Sequence, residues 1–171
     1  MLVMVWLSWY PETSWAMFVD RVVKFALIGL FIAAFVTTPR ALAWFVAAFL
    51  FAAFWMGFEG LHGVVTGGLI WENQGLLRLH GPTPIYAHPN SFAGMALGTL
   101  PFIAYFLRIA PRYLQAVLVV QLLLSLNIIV FTGSRTGYVA LAIGLLFLAW
   151  KSSHRKRALA GIVLGALVAV P

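Results

Sequence analysis

Residues 113–150 read YLQAVLVVQLLLSLNIIVFTGSRTGYVALAIGLLFLAW, two long apolar runs joined by the short polar stretch Thr132–Gly137. A membrane-spanning helix needs about 20 mostly apolar residues, and both runs approach that length. The only charged residue in the whole stretch is Arg135. The stretch therefore predicts two transmembrane helices connected by a tight polar turn.

The composition of the whole chain agrees with this prediction. Of its 171 residues, 63% are hydrophobic and 9% are charged, whereas soluble domains average about 45–50% apolar and about 25% charged residues. A water-soluble core cannot absorb so much apolar surface, so residues 1–171 are expected to form a single transmembrane domain. There is no cysteine, which excludes disulfides and thiolate metal sites.

Similar apolar runs recur along the chain and predict an all-α, polytopic transmembrane bundle of about five or six spans. Residues 1–9 look like the end of an earlier helix, and the last run is still apolar at Pro171. The chain is therefore expected to be a fragment, truncated at both ends. The predicted spans are residues 22–38, 41–58, 91–107, 113–132, 137–150 and 158–171.

Basic residues predict the orientation, because cytoplasmic loops carry an excess of Lys and Arg. The loop with Arg108 and Arg112 and the basic run at residues 151–157 are separated by two predicted spans, so they can share the cytoplasmic side. The turn at 132–136 and the long segment at 59–90 then face the periplasm of a bacterial inner membrane.

Two further points follow from the charges. Arg40 falls on the cytoplasmic side, whereas Arg21 and Lys24 fall at a periplasmic helix end, against the charge rule. The net charge of +7 comes from cations between apolar runs rather than on a solvated face. That placement argues against nucleic acid as a partner.

The long periplasmic segment at 59–90 is the least apolar part of the chain. A loop of this length is often functional, and irregular backbone near a membrane must be buried in protein or line a wet cavity. Glu59 and His62 have the Glu-x-x-His spacing of di-iron helices, but the second such pair that this chemistry requires is absent. No metal is therefore expected, while Glu59 and Glu72 remain open as a glycosidase-like carboxylate pair.

The turn provides the sharpest candidate for chemistry. Arg135 lies at a predicted helix start, where free N–H groups and the helix dipole favour anions. With Ser134 and Thr136 it predicts a phosphate-binding site. The alternative is an interfacial arginine that reaches the lipid headgroups.

A second group of candidates precedes the third predicted span. Pro89 and Asn90 predict a turn into that helix, with Asn90 or Ser91 as its cap. His88 could instead bind phosphate or sugar hydroxyls, and Arg78 could be a second ligand of a diphosphate.

Two patterns of small residues, Gly94-x-x-x-Gly98 and Gly161-x-x-x-Gly165, are typical of closely packed transmembrane helices.

The order of these motifs resembles that of the O-antigen ligase and O-antigen polymerase family of bacterial inner-membrane glycosyltransferases. The similarity is greatest to the ligase-like group associated with exosortase systems, and it covers most of residues 12–150. The motifs are, in order, Lys24, a glycine-rich region from Gly57 to Gly68, Arg78-x-x-Gly81-Pro82, His88-Pro89-Asn90, and Thr132-Gly133-Ser134-Arg135.

This resemblance implies a glycan transfer from undecaprenyl diphosphate to an acceptor hydroxyl on the periplasmic side. The acceptor is a glycolipid, a polysaccharide or a protein, and the reaction uses no metal, cofactor or nucleotide sugar. Arg135 matches the family's Ser-Arg position. The residues expected to bind the donor diphosphate are Arg135, Ser134, Arg78 and Lys24, with His88 and Asn90 as further substrate contacts.

The resemblance also implies that a histidine in a later periplasmic loop acts as the general base, and this loop would lie beyond Pro171. His62, His80 and His88 precede the Ser-Arg motif and do not match that position. The fragment alone is therefore expected to be inactive.

Three alternatives stay open: a polysaccharide polymerase of the same family, a transporter or flippase for a lipid-linked glycan, and a non-catalytic membrane subunit. A histidine-bearing polar loop after Pro171 would favour the ligase, and a second similar half would favour the transporter.

Overall fold

A computed structural model describes residues 8–73 and 75–151 of the chain. These residues are mostly helical and form two compact units that meet in sequence at Phe49 and Leu50. Residues 1–7 and 152–171 lie outside the described residues. The predicted earlier helix end, most of the basic run, the sixth span and the second glycine pattern fall there.

The first unit contains a continuous helical stretch made of three pieces. Helix α1 (Pro11–Phe18) leads into a π-helical turn (Val19–Val23) and then into helix α2 (Lys24–Phe35). Pro11 occupies the first helical position, where its missing N–H costs nothing. The Lys24 ammonium donates to the Asp20 carboxylate one turn away, and this hydrogen bond, together with the charge of Lys24, lowers the pKa of Asp20.

Helix α3 (Pro39–Thr66) is eight residues longer at its C-terminal end than the predicted span 41–58. Its C-terminal half packs closely at two glycines: a Cβ on Gly57 would lie 2.9 Å from the Leu124 Cβ, and one on Gly60 would lie 3.2 Å from Phe92. The helix ends before Gly67, which has a positive φ of 73°. The first part of the predicted loop at 59–90 is therefore helical.

The rest of that segment is also largely ordered. Strands β1 (Ile70–Asn73) and β2 (Leu76–Leu79) form an antiparallel hairpin, followed by a 3-10 turn (Pro84–Tyr86). Gly75 adopts a φ of +76° in the hairpin turn, where this conformation is required. Leu79 is 1% exposed and anchors the hairpin in the core.

Three helices complete the second unit: α4 (Pro89–Ile109), α5 (Arg112–Phe131) and α6 (Arg135–Lys151). Their bounds agree with the predicted spans to within two residues. In the middle of the α4–α5 contact, the hydroxyls of Thr99 and Ser125 lie 3.0 Å apart and share a hydrogen bond. The core around them is apolar; its buried members are Ala53, Leu79, Phe92, Met95, Ala96, Ile128 and Ile129.

Three described helices, α3, α4 and α5, are long and apolar enough to cross a membrane. The prediction of five or six spans is therefore too high for this part of the chain. The π-helical turn divides the first helical stretch into helices of 8 and 12 residues, and α6 has 17 residues. The two helices of the first stretch are shorter than the roughly 17–25 residues of a span, and α6 lies at the lower end of that range as far as the chain is described.

Candidate functional site

The β-hairpin places Arg78 over the turn between α5 and α6. Arg78 pairs with Trp71 across the hairpin, and the neighbouring Leu79 is buried in the core. Because successive side chains of a strand point to opposite faces, burial of Leu79 directs Arg78 away from the core interior. Arg78 as a whole is half-buried as a result.

Three hydrogen bonds fix this guanidinium. Its Nε donates to the carbonyl of Thr132 at 2.8 Å, and its Nη2 donates to the carbonyl of Gly133 at 3.3 Å and to the Asn90 Oδ1 at 3.1 Å. The two carbonyls follow the C-terminus of α5, where a positive charge is favourable. Arg78 thus joins three segments, namely the hairpin, the start of α4 and the α5–α6 turn.

The turn itself is held by local hydrogen bonds. Gly133 has a φ of +57°, a conformation that favours glycine. Ser134 is 1% exposed, and its Oγ accepts from the N–H of Gly137 at 3.0 Å, which makes it the N-cap of α6. Thr132 is fully buried and donates its hydroxyl to the carbonyl of Ile129 at 2.9 Å.

Arg135 is the first residue of α6 and is exposed to solvent. Its side chain has no hydrogen-bonding or ionic partner within residues 8–73 and 75–151, and the N–H groups of Arg135 and Thr136 have no acceptor there. A cation at the positive end of a helix is unfavourable by about 0.3–1 kcal/mol unless an anion neutralises it. The local electrostatics therefore favour an anion at this position.

The cap of α4 differs from the predicted one, whereas substrate contacts of His88 and Asn90 stay a prediction. The Nδ1 of His88 accepts from the N–H of Asn90 at 3.2 Å, so His88 caps α4, and the prediction that Asn90 or Ser91 is the cap is wrong. Pro89 takes the first helical position, which shifts the cap to the preceding residue, and Asn90 instead accepts from Arg78. With Nδ1 as acceptor, the neutral His88 ring carries its proton on Nε2.

The other predicted residues belong to other elements. Lys24 belongs to the first unit, where it is exposed and paired with Asp20. Glu59 accepts from the Trp55 Nε1 at 2.7 Å on α3, whereas Glu72 lies in β1. The described residues contain no group of three or more His, Cys, Asp or Glu side chains that could hold a metal ion.

The structure therefore brings Arg78 into contact with Asn90 and with the turn at Thr132 and Gly133, and substrate binding by these residues stays a prediction. Sequence reasoning missed how Arg78 is used. Its partners are backbone carbonyls more than fifty positions away, and a carbonyl leaves no signature in a sequence. It also missed that the Tyr138 hydroxyl donates to the carbonyl of Val130 at 2.7 Å and so links α6 to the end of α5.

Comparisons with known proteins found no matching family model, no matching curated protein and no matching solved structure. The resemblance to the O-antigen ligase family thus depends on the motifs alone, and the function must be argued from the site.

Proposed function

We propose that this chain carries the donor-binding part of a metal-independent glycosyltransferase of the O-antigen ligase type. The enzyme would lie in a bacterial inner membrane, with the α5–α6 turn facing the periplasm. It would transfer a glycan from undecaprenyl diphosphate to a hydroxyl of a glycolipid, polysaccharide or protein. The observation that carries the proposal is the pair of arginines at this turn, which have no carboxylate partner among the described residues.

The two arginines have different parts in this proposal. Arg78 uses its Nε and Nη2 on the turn and on Asn90, so it supplies positive charge and positions the site. Arg135 keeps its planar fork available, and such a fork can bind two phosphate oxygens at once. Ser134 is buried as the cap of α6, so its contribution is to orient Arg135 and the adjoining N–H groups.

The proposed reaction makes chemical use of this arrangement. The acceptor oxygen forms a bond to the anomeric carbon while the bond from that carbon to the phosphate oxygen breaks, and undecaprenyl diphosphate leaves. Negative charge grows on the leaving diphosphate, where a fixed guanidinium stabilises the transition state. The proton of the acceptor hydroxyl goes to a histidine, which is suited to this role near neutral pH. The resemblance assigns that histidine to a later loop.

The test is glycan transfer from a purified lipid-diphosphate donor by the complete protein in liposomes. Arg135→Ala should lower the rate by about ten- to a hundredfold, the effect of losing one charge-assisted contact. Arg135→Lys keeps the charge but loses the fork, so its rate should lie between those of Arg135→Ala and the unchanged protein. Arg112→Ala is the matched control, because Arg112 is also an exposed first residue of a helix.

Two results would overturn the proposal. The first is transfer at the normal rate by folded Arg135→Ala protein, which would leave Arg135 as a contact for lipid headgroups only. The second is movement of the lipid-linked glycan across the liposome membrane without transfer, which would identify a flippase. Chain-length analysis of the product separates the ligase, which attaches one preformed glycan, from a polymerase, which extends it.

A further inference from the structure

A groove between α4 and α6 lies at the opposite end of the second unit from the turn. It has a volume of about 650 Å³, within the range of about 300–1,000 Å³ that is usual for ligand sites. Its lining is almost entirely apolar. The lining residues lie between Leu97 and Arg108 on α4 and between Ala140 and Leu148 on α6. The polar groups in the lining belong to Tyr105 and Arg108, which are both near the C-terminal end of α4.

Glycines keep the groove open. Gly98 and Gly144 line it, and a Cβ built on either residue would meet no atom within 4 Å. The same is true of Gly94, so the predicted close packing at Gly94-x-x-x-Gly98 is wrong for the described residues. Nearer the turn the two helices do meet, because a Cβ on Gly137 would lie 3.2 Å from the Ala93 Cβ.

The shape of the groove suits a thin occupant. Near the turn α6 approaches Ala93 at Gly137, and the groove occupies the part of the two helices that follows, from Leu97 to Arg108 and from Ala140 to Leu148. From Leu97 to Arg108 the helical rise gives about 16 Å, close to the roughly 15 Å thickness of one leaflet's hydrocarbon.

The charge at the end of the groove selects the chemistry of the occupant. Arg108 is exposed and has no hydrogen-bonding or ionic partner in the described part of the chain. It lies where the headgroup of a lipid would be if the lipid's acyl chain followed the groove toward the bilayer centre. The groove is therefore apolar along the length of a chain and cationic at the level of a phosphate.

We propose that this groove binds an anionic phospholipid, with one acyl chain between α4 and α6 and the phosphate at Arg108. The leaflet is the one at the Arg108 end of the bundle, which the charge pattern predicts to be cytoplasmic. The site is separate from the α5–α6 turn, and the inference stands whether or not the chain belongs to a glycosyltransferase.

The experiment is photo-crosslinking of the complete protein in vesicles. The probes are phosphatidylglycerol and phosphatidylcholine that carry the same photoactivatable acyl chain, and peptide mapping locates the label. Phosphatidylglycerol should label residues 97–108 and 140–148 about fivefold more than phosphatidylcholine does, as expected for a contribution of about 1 kcal/mol from one basic residue near the membrane surface.

Variants assign the effect to the groove. Gly144→Leu should remove the labelling by both probes, because the new side chain fills the space. Arg108→Gln should leave the apolar contacts intact and abolish only the excess of phosphatidylglycerol. Gly94→Leu is the control for Gly144→Leu: Gly94 lies on α4 and has open space around it, but it does not line the groove, so labelling should be unchanged.

Three outcomes would overturn the proposal. One is equal labelling by the two probes in the unchanged protein. Another is unchanged labelling in Gly144→Leu. The third is protection of the groove from both probes together with crosslinking of a Gly144→Cys variant to protein, which would show that another segment of the chain or a second copy occupies the groove. The chain has no natural cysteine to confuse that last measurement.

Discussion

The two ends of the α4–α6 pair differ in how they are closed. At the turn end, Arg78 joins three segments through hydrogen bonds, and Gly137 lets α6 approach Ala93. At the other end the helices separate around Gly98 and Gly144, and Arg108 has no partner among the described residues. Glycine has opposite consequences at the two ends, since it permits contact at one and leaves space at the other.

This difference shows that a pattern of small residues does not by itself indicate close helix packing. The direction in which each glycine faces decides whether the missing side chain admits a neighbour or a void. It also separates two kinds of arginine: the Arg78 guanidinium donates to groups of the protein itself, whereas Arg135 and Arg108 have no partner among the described residues.

The largest effect on stability is expected when the hydrogen bonds of Arg78 at the turn are removed. Arg78→Met should lower the free energy of unfolding by about 3 kcal/mol, because the Thr132 and Gly133 carbonyls and the Asn90 amide lose a charged donor. Thermal unfolding of the purified protein in detergent micelles measures this loss, and the hairpin at 70–79 should become sensitive to protease. Arg112→Met is the control, since Arg112 has no such partners in the described residues. Equal stability of the two variants would show that the Arg78 hydrogen bonds contribute little.

A smaller effect should distinguish the α4–α6 contact at Gly137 from the groove at Gly144. Gly137→Leu places atoms against the Ala93 Cβ and the cap Ser134, neither of which can move without the backbone. Overpacking of this kind costs about 1–3 kcal/mol. Gly144→Leu, on the same helix, meets open space and should be neutral or should stabilise by up to about 1 kcal/mol, because glycine is a poor helix former.

The same unfolding measurement compares the two leucine variants directly. If both were destabilised equally, the groove would be closed in the membrane. If neither were destabilised, α4 and α6 would not meet near the turn.

The smallest effect concerns the α4–α5 contact, where the hydroxyls of Thr99 and Ser125 share a hydrogen bond. Such interhelical bonds in membranes average about 0.6 kcal/mol. A double-mutant cycle with Thr99→Val and Ser125→Ala should return a coupling energy of this size. A coupling near zero would mean that Thr99 bonds only to the carbonyl of Ala96, its other partner at 2.7 Å.

Hydropathy along the chain was sufficient to place α4, α5 and α6, because an apolar run that must satisfy its backbone in lipid becomes a helix whatever surrounds it. It was insufficient for the π-helical turn at Val19–Val23 and for the extension of α3 to Thr66. The π-helical turn is a change in backbone hydrogen bonding, and the extended end of α3 packs through contacts such as that of Gly60 with Phe92; apolar periodicity records neither.

The candidate residues at the turn were also readable locally, since a Gly-Ser-Arg stretch before an apolar run is a helix start with a cap and a cation. Only the tertiary structure decided which of them is free. Arg78 and Arg135 are chemically identical in the sequence, but burial of Leu79 turns Arg78 onto carbonyls 54 and 55 positions away, while Arg135 stays exposed. The sequence specifies the type of each side chain, whereas tertiary contacts decide whether the donors of an arginine are already occupied.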